Sequence, residues 1–499
     1  MNIINTIKKN RFEIFLLILI LIGFSGSLAS MELRAEEPRR AIVAMEMILG
    51  KEWIVPKIHG WNYYNKPPFF NWVMAFFFKI SGSFSEPWVR MPSLLSFLLT
   101  SFLVFRLVSK HADKKTAFVA AVLLLTSVDI FFYGAVDTGE IDLFLTLIIF
   151  LQGRVILYYS NKEKWLSLFT ASYLFTAIGV LTKGLPPLII QGLILMIWLG
   201  YNKQFKKIFS WQHFTGILLF TSILTAYFFA YNEKENVYAF IIQLAKETTQ
   251  QSALETTWQA VALNILQSPL QLFYISLPAS GLLLFLLRKN VRKSLKNNRL
   301  FQFSLIYALI NTVPYFIAGD TANRYLYPAF PFFAIMAALV FKQAVFMLQL
   351  SKWKIKYSTL LWVFAVLAMA RIAYNIWGIP FQKRTSGSLI YVKLSSQLIS
   401  AAHGNPIYLT GYREKLIANP TLPFVKIKSD TVFIPPLIPY QLPYYITKAT
   451  GQIMRYDTIP QKGLYYLTPE DFLKDKNATI HYRFFDQWVK RELALVTFK

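Results

Sequence analysis

Eleven apolar runs, most of them close to twenty residues long, punctuate the first 380 residues of the chain, and no other feature limits its fold as severely. They read at about 12–30, 90–110, 116–135, 142–160, 165–182, 184–200, 209–231, 269–287, 300–318, 325–348 and 358–377. Twenty helical residues, each rising about 1.5 Å, cover a hydrocarbon layer of ~30 Å. In hydrocarbon every backbone N–H and C=O must be satisfied within its own segment, so runs of this kind specify transmembrane α-helices. The first run follows Lys8, Lys9 and Arg11 and is longer than the apolar core of a secretory signal; it is expected to stay as an uncleaved helix.

Charge sets the orientation. The chain carries 52 Lys and Arg against 26 Asp and Glu, a formal charge of +26, while 55% of its residues are hydrophobic. That is too apolar for a nucleic-acid-binding protein and too basic for an ordinary soluble enzyme. The absence of cysteine excludes disulfides, zinc-thiolate sites and thiol nucleophiles. With eleven spans, one group of connections holds 22 Lys or Arg, among them Arg106, Lys110, Lys162, Lys207, Arg288, Arg299 and Lys352. The opposite group, beyond Arg90, holds four: Lys183, Lys234, Lys246 and Arg324. Positive loops stay inside, so the amino terminus is predicted inside and the carboxyl terminus outside.

The run at 69–80 is left out of this count because a dozen residues containing Asn71 and Lys79 are too short to span. It reads as a helix in the outer interface. Residues 378–499 differ from the rest, with short alternating runs at Pro406–Thr410 and Gly463–Leu467 and turn signals at Gly404 and at Ile434-Pro435-Pro436. The expected architecture is an all-α polytopic membrane domain over 1–377, with about eleven transmembrane helices plus interfacial helices, followed by a small extracytoplasmic α/β domain over 378–499.

One outer loop breaks the charge rule. Residues 31–90 should be poor in cations, yet they contain Arg34, Arg39, Arg40, Lys51, Lys57, Lys66, Lys79 and Arg90, together with Glu32, Glu36, Glu37, Glu46 and Glu52. From Pro38 the apolar residues Ala41, Ile42, Met45, Ile48 and Leu49 recur at helical spacing up to Gly50, predicting an amphipathic interfacial helix with a carboxylate pair at its start. The plain reading is that Glu36 and Glu37 complement the helix dipole and the cations bind anionic headgroups. Against it stand Asp142, Lys183 and Arg324-Tyr325, each where a span meets the same outer surface; several ionisable groups at one leaflet point to a site. A second outer loop, 232–268, reads as interfacial, with Glu233, Glu235, Glu247 and Glu255 beside amphipathic runs.

At these residues the chain resembles the type C integral-membrane glycosyltransferases that use polyprenyl-phosphate sugars, in the branch of the lipid A aminoarabinose transferase and the protein O-mannosyltransferases. Glu36-Glu37-Pro38-Arg39-Arg40 is similar to the family's Asp-Glu-Pro-Arg-Tyr, and Gly60-Trp61-Asn62-Tyr63-Tyr64-Asn65-Lys66-Pro67-Pro68 to its Gly-x-x-Tyr-Phe-Glu-Lys-Pro-Pro. Asp142 corresponds to the second-loop acid, and Leu181-Thr182-Lys183-Gly184 with Arg324-Tyr325-Leu326-Tyr327-Pro328 to the later motifs. The likeness covers roughly residues 10–350. It departs in three places: Glu36 stands for the catalytic Asp, which makes Glu37 a rival; Arg40 stands for Tyr; and Asn65 stands for a Glu that ligates metal in the aminoarabinose enzyme.

The resemblance implies transfer of one sugar, with inversion, from a polyprenyl monophosphate to a lipid or protein acceptor at the outer face of a bacterial inner membrane. Glu36 or Glu37 would serve as base and Asp142 would hold the acceptor or assist. Lys66, Arg39, Lys183 and Arg324 would stabilise the departing phosphate, with Tyr63 and Tyr325 donating hydrogen bonds. No cofactor is required by this chemistry, a divalent metal is possible by the resemblance but put in doubt by Asn65 in place of the ligand, and the partners are a lipid-linked sugar, a glycolipid or protein acceptor and membrane lipid, with no nucleic acid. A lipid-linked-sugar flippase would place charge at mid-membrane, whereas these spans keep it at their ends. A polymerase or ligase using diphosphate-linked oligosaccharide is the other alternative. The predicted orientation has a direct check in this cysteine-free chain: a cysteine introduced near position 400 is expected to react with a membrane-impermeant thiol reagent added outside intact cells, and protection there would reverse the odd span count.

Overall fold

The structure is a computed structural model that describes residues 10–132, 136–250, 258–316, 322–348, 357–381, 389–411 and 438–499. The chain divides into two compact units. The first draws on Met1–Ser30, Arg90–Thr225 and Thr248–Pro380, the second on Met31–Val89, Ala226–Glu247 and Phe381–Lys499.

Among the described residues, each of the eleven apolar runs falls largely on helix. Seven helices among the described residues are long and apolar enough to cross a membrane: Arg11–Leu28, Glu86–His111, Ile141–Asn161, Trp165–Lys183, Trp211–Asn232, Asn323–Phe346 and Tyr357–Phe381. The expected straight span at 269–287 is instead a pair, Val261–Ile275 and Ala279–Leu287, bent by 107°. Pro278 sits at the break, where its missing N–H cannot continue the helical ladder. The expected span at 116–135 is broken too. Helix Lys114–Leu125 stops at Thr126, and a short helix, Val128–Phe132, follows. Hydroxyls close this end, Thr126 donating to the Val122 carbonyl at 2.8 Å and Ser127 to that of Leu123 at 3.2 Å. The Val128 N–H then donates to the Leu277 carbonyl at 2.8 Å, so the two breaks supply each other's backbone partner. The helix Pro186–Tyr201 has 16 residues.

The first unit is arranged as a lipid solvent demands. Helix Arg11–Leu28 exposes Phe15, Ile18, Leu21 and Ile22, and helix Trp211–Asn232 exposes Phe214, Leu218 and Phe229. Faces this apolar would be costly against water and cost nothing against hydrocarbon. Polar side chains are turned inward, where they bond helix to helix: Gln152 donates to Thr176 at 2.9 Å and accepts from Tyr307 at 2.6 Å. Gly153 lets that tyrosine approach, for a Cβ there would lie 2.9 Å from its ring.

In the second unit, helix Glu37–Leu49 leads into a hairpin, β1 (Lys57–Ile58) and β2 (Trp61–Asn62), and then into helix Phe69–Ser81. The sequence predicts helix Glu37–Leu49 to be interfacial and half-wetted. The structure buries every residue from Glu37 to Met47, including Arg39, Arg40 and Glu46, because the unit packs helices Phe69–Ser81 and Gln441–Thr450 against it. The 232–268 loop contains helix Val237–Gln250. The alternating runs near the carboxyl end become strands: β3 (Ile407–Leu409) pairs in parallel with β4 (Tyr465–Pro469), and β6 (Arg491–Phe498) lies antiparallel between β4 and β5 (Ala478–Asp486). Leu394 and Leu398 of helix Ile390–Ala401, with Leu442 and Ile446, cover one sheet face over Ile407, Leu409, Leu467, Leu493 and Leu495. The turn expected at Ile434-Pro435-Pro436 lies outside the described residues.

Candidate active site

Ionisable side chains of the first unit gather where particular helix ends meet. Asp142 opens helix Ile141–Asn161, Lys183 closes helix Trp165–Lys183, and Arg324 opens the short helix Asn323–Ala329. Asp142 is 2% exposed and sits between the two cations: Lys183 is ion-paired to its Oδ1, and Arg324 approaches its Oδ2 at 3.6 Å. Arg324 also faces Glu140 at 3.9 Å. Tyr325 lies beneath both cations, the Lys183 ammonium 4.1 Å and the Arg324 guanidinium 5.7 Å from its ring centre, which the ring's negative face stabilises. Sequence reasoning named Asp142, Lys183, Arg324 and Tyr325, and the fold brings all four together.

It missed what holds the segment that carries Asp142. Ser93 donates to the Glu140 carbonyl at 2.6 Å. Five residues before Asp142, Asp137 is ion-paired to Arg371, a fully buried arginine of helix Tyr357–Ala373 that also donates to the Ser27 hydroxyl at 3.1 Å. The spans are therefore less free of charge than their sequence suggests. Arg90, counted with the outer-loop cations, is likewise buried, donating to the Leu28 carbonyl at 2.6 Å. An arginine inside an apolar run is the available signal, since such a group must find a carboxylate or carbonyls. Nearby, Asp129 accepts from Tyr327 at 2.5 Å and from Asn323 at 3.0 Å.

The other named residues belong to the second unit. Glu36 precedes helix Glu37–Leu49 and is ion-paired to Arg39 one turn on, its side chain 25% exposed. Glu37 is fully buried and accepts the Arg34 N–H at 2.9 Å, a local closure of the helix start. The Arg39 guanidinium lies 6.0 Å from the Tyr63 ring centre and 5.9 Å from that of Tyr440. Lys66 is half-buried in the stretch joining β2 to helix Phe69–Ser81.

Glu46 was read only as one of the loop's charges, but it organises the hairpin. His59 and Gly60 form a two-residue turn, with φ of 56° and 80°, and the Glu46 carboxylate accepts both turn N–H groups, at 2.6 and 3.0 Å. Burial pushes the Glu46 carboxyl up to about 7, against the lowering effect of those N–H groups and of Arg455 and Lys57. His59 is buried beside it, its Nδ1 3.1 Å from the Met454 carbonyl and its ring stacked on Tyr440 at 6.0 Å; burial pushes it down to about 4. The turn thereby locks the first loop to the carboxyl-terminal part of the unit, as do Lys448 with Glu86 at 2.7 Å and Trp61 with the Tyr456 carbonyl at 2.9 Å.

Residues 65–227 match the family model described as dolichyl-phosphate-mannose-protein mannosyltransferase. An undecaprenyl phosphate-alpha-4-amino-4-deoxy-L-arabinose arabinosyl transferase of Shewanella sediminis is 28% identical over 185 residues, 35% of this chain and 32% of that protein. An uncharacterised protein of Aquifex aeolicus is 24% identical over 342 residues, 67% of this chain and 63% of its own. The chain thus spans less than two thirds of these curated relatives. The crystal structure of ArnT from Cupriavidus metallidurans bound to undecaprenyl phosphate superposes with a TM-score of 0.66 at 15% identity, covering 98% of each chain. Its apo form gives 0.64 at 14% identity over 97% of each. The fold is shared over the whole length.

Two outcomes follow from these contacts. Replacing Arg371 by Ala strands a buried carboxylate, a loss of about 3–5 kcal/mol; the apparent melting temperature in detergent should fall, and adding Asp137→Ala should recover part of the fall. Glu46 titrates higher in the folded chain than in the unfolded one, so its contribution is greatest below pH ~4.5 and is lost as pH rises through about 7, on the order of 3 kcal/mol. His59 runs the other way, its contribution present above ~6.5 and lost as pH falls through about 4. Glu46→Gln should therefore raise stability at pH 8 relative to pH 5 when each is compared with the wild type, measured by thermal unfolding across that range.

Proposed function

We infer that this chain, a member of the type C family of polyprenyl-phosphate-sugar glycosyltransferases, is a multi-pass membrane enzyme that moves a monosaccharide from a polyprenyl monophosphate to an acceptor. The observation that carries the reading is the meeting of Asp142, Lys183, Arg324 and Tyr325 at helix ends, a carboxylate and two cations over one aromatic ring. The same elements suit an anionic headgroup at the membrane surface, since Arg and Lys bind phosphate by charge-assisted hydrogen bonds.

In the proposed step the acceptor oxygen bonds to the anomeric carbon from the face opposite the phosphate. The carbon–oxygen bond to phosphate breaks, its electron pair leaves with the phosphate, and the acceptor's proton passes to a carboxylate. Inversion follows from the single displacement. The phosphate leaves without needing a proton, so one base suffices, a contribution of ~10²–10⁴-fold. Glu36 is our choice for that base, because its side chain is partly exposed whereas Glu37 is buried and closes the helix start. Lys183 and Arg324 stabilise the charge that grows on the phosphate, with Tyr325 beside them. Arg39, Lys66 and Tyr63 are assigned to phosphate binding and Asp142 to the acceptor on the strength of the motifs. No metal or cofactor enters the proposal.

The acceptor is a glycolipid resembling lipid A or a protein, and the reaction is assigned to the outer face of a bacterial inner membrane, with the amino terminus cytoplasmic and the carboxyl-terminal domain periplasmic. Purified protein in lipid nanodiscs, supplied with a polyprenyl-phosphate sugar and lipid A, should transfer sugar, and Glu36→Gln and Lys66→Ala should each lower the rate by about 10²-fold or more. Normally folded variants with wild-type rates would remove these residues from the site.

A further inference from the structure

We propose that Asp142, assisted by Glu140, acts as a resident counter-anion that the lipid phosphate must displace, so that phosphate binding and release of the Asp142 carboxylate are one exchange. The proposal rests on Lys183 and Arg324 being phosphate contacts and states how that site is kept when no phosphate is in it.

Burial makes a counter-anion necessary. The Lys183 side chain is 9% exposed, and an ammonium so far from water must be paired. Asp142 is ion-paired to it and is itself 2% exposed, so neither charge is served by solvent. Arg324 differs. Its side chain is 36% exposed, and it holds Asp142 at 3.6 Å and Glu140 at 3.9 Å, beyond good hydrogen-bond length for both. With its side-chain hydrogen bond going to Tyr325 and neither carboxylate at close range, the guanidinium is the more open of the two cations, and an arriving anion meets it first.

Charge balance then requires an exchange. In these ion pairs of the described residues two carboxylates face two cations, with the Asp129 carboxylate held nearby by Asn323 and Tyr327. A phosphate that joined without displacing anything would set a third anion beside two buried carboxylates, and like charges in such surroundings repel strongly. A phosphate that takes Lys183 from Asp142 gives the ammonium its new partner and leaves the carboxylate to accept the hydrogen bond of an acceptor hydroxyl, the role the motifs assign to it. Tyr325 supports the exchange because its ring lies under both cations whichever anion they hold. The segment carrying the two acids is fixed through Ser93 and Arg371, so the cations are the groups left to change partner.

A site partly filled by its own carboxylate binds more weakly in proportion to the fraction of molecules in which the cations are free. Removing the competitor should therefore tighten binding, the reverse of what losing a ligand-binding residue does. The full-length protein in nanodiscs is titrated with undecaprenyl phosphate. Asp142→Asn is expected to bind about tenfold more tightly and Glu140→Gln about threefold, whereas Lys183→Ala and Arg324→Ala bind at least about tenfold more weakly. Glu140→Gln gives the answer should Asp142→Asn fail to fold. If both amide variants bind at wild-type strength or more weakly while the two cation variants weaken binding, the phosphate site stands and the exchange is wrong. If the cation variants also bind normally, the phosphate assignment falls and takes the exchange with it.

Discussion

A hydrocarbon solvent leaves an ionised side chain few places to be, and the first unit is built around that restriction. Its charges collect at helix ends, where Asp142 meets Lys183 and Arg324, or they are paired inside, as Asp137 is with Arg371. Neutral polar groups do the remaining joining within the bundle, as Gln152 does between Thr176 and Tyr307. The breaks in two helices obey the same constraint. Near Thr126 and Pro278 the backbone loses its own ladder, and each break is closed by hydroxyls or by the other break's carbonyl.

Much of this was legible in the sequence because the signals are long. Among the described residues every apolar run lies largely on helix, and the alternating runs near Ile407 and Tyr465 are paired strands. The four residues that meet at the end of the first unit could be named from position alone, since each stands at the end of an apolar run. Pairwise facts escaped. Arg371 looks like a stray cation in a span until Asp137, 234 positions away in the chain, is set against it. Glu46 has the spacing of a helix surface residue, and only the fold shows that its carboxylate serves the turn N–H groups of His59 and Gly60. Helix Glu37–Leu49 was read as half-wetted for a related reason: periodicity reports an apolar face but not what covers the polar one.

Likeness to known proteins reaches different parts of the chain with different force. The family model covers residues 65–227, a range that holds Lys66, Asp142 and Lys183 but stops short of Glu36, Arg39, Arg324 and Tyr325. For Arg324 and Tyr325 the support is geometric, since both contact residues that lie inside the matched range. For Glu36 it rests on the motif around Pro38, with a glutamate where the family has an aspartate. That substitution lengthens the arm by one methylene, and the Arg39 partner one turn along fixes where the longer arm can point.

The basic excess of the sequence divides accordingly. Cations in the connections between spans, such as Lys110 and Lys207, are the ones from which the sequence predicts orientation, and Lys207 lies against the Trp165 ring. Arg371 is spent on holding the Asp137 segment. Two more sit over Tyr325, and of these Lys183, its side chain 9% exposed, cannot stand unbalanced in so dry a place. A buried ammonium that is proposed to receive a phosphate needs an anion of the protein's own in the interval, and Asp142 is placed to be that anion. The carboxylate that looks like a second catalytic acid from its position in the sequence is, by its contacts, first of all what makes a cationic site tolerable in a membrane.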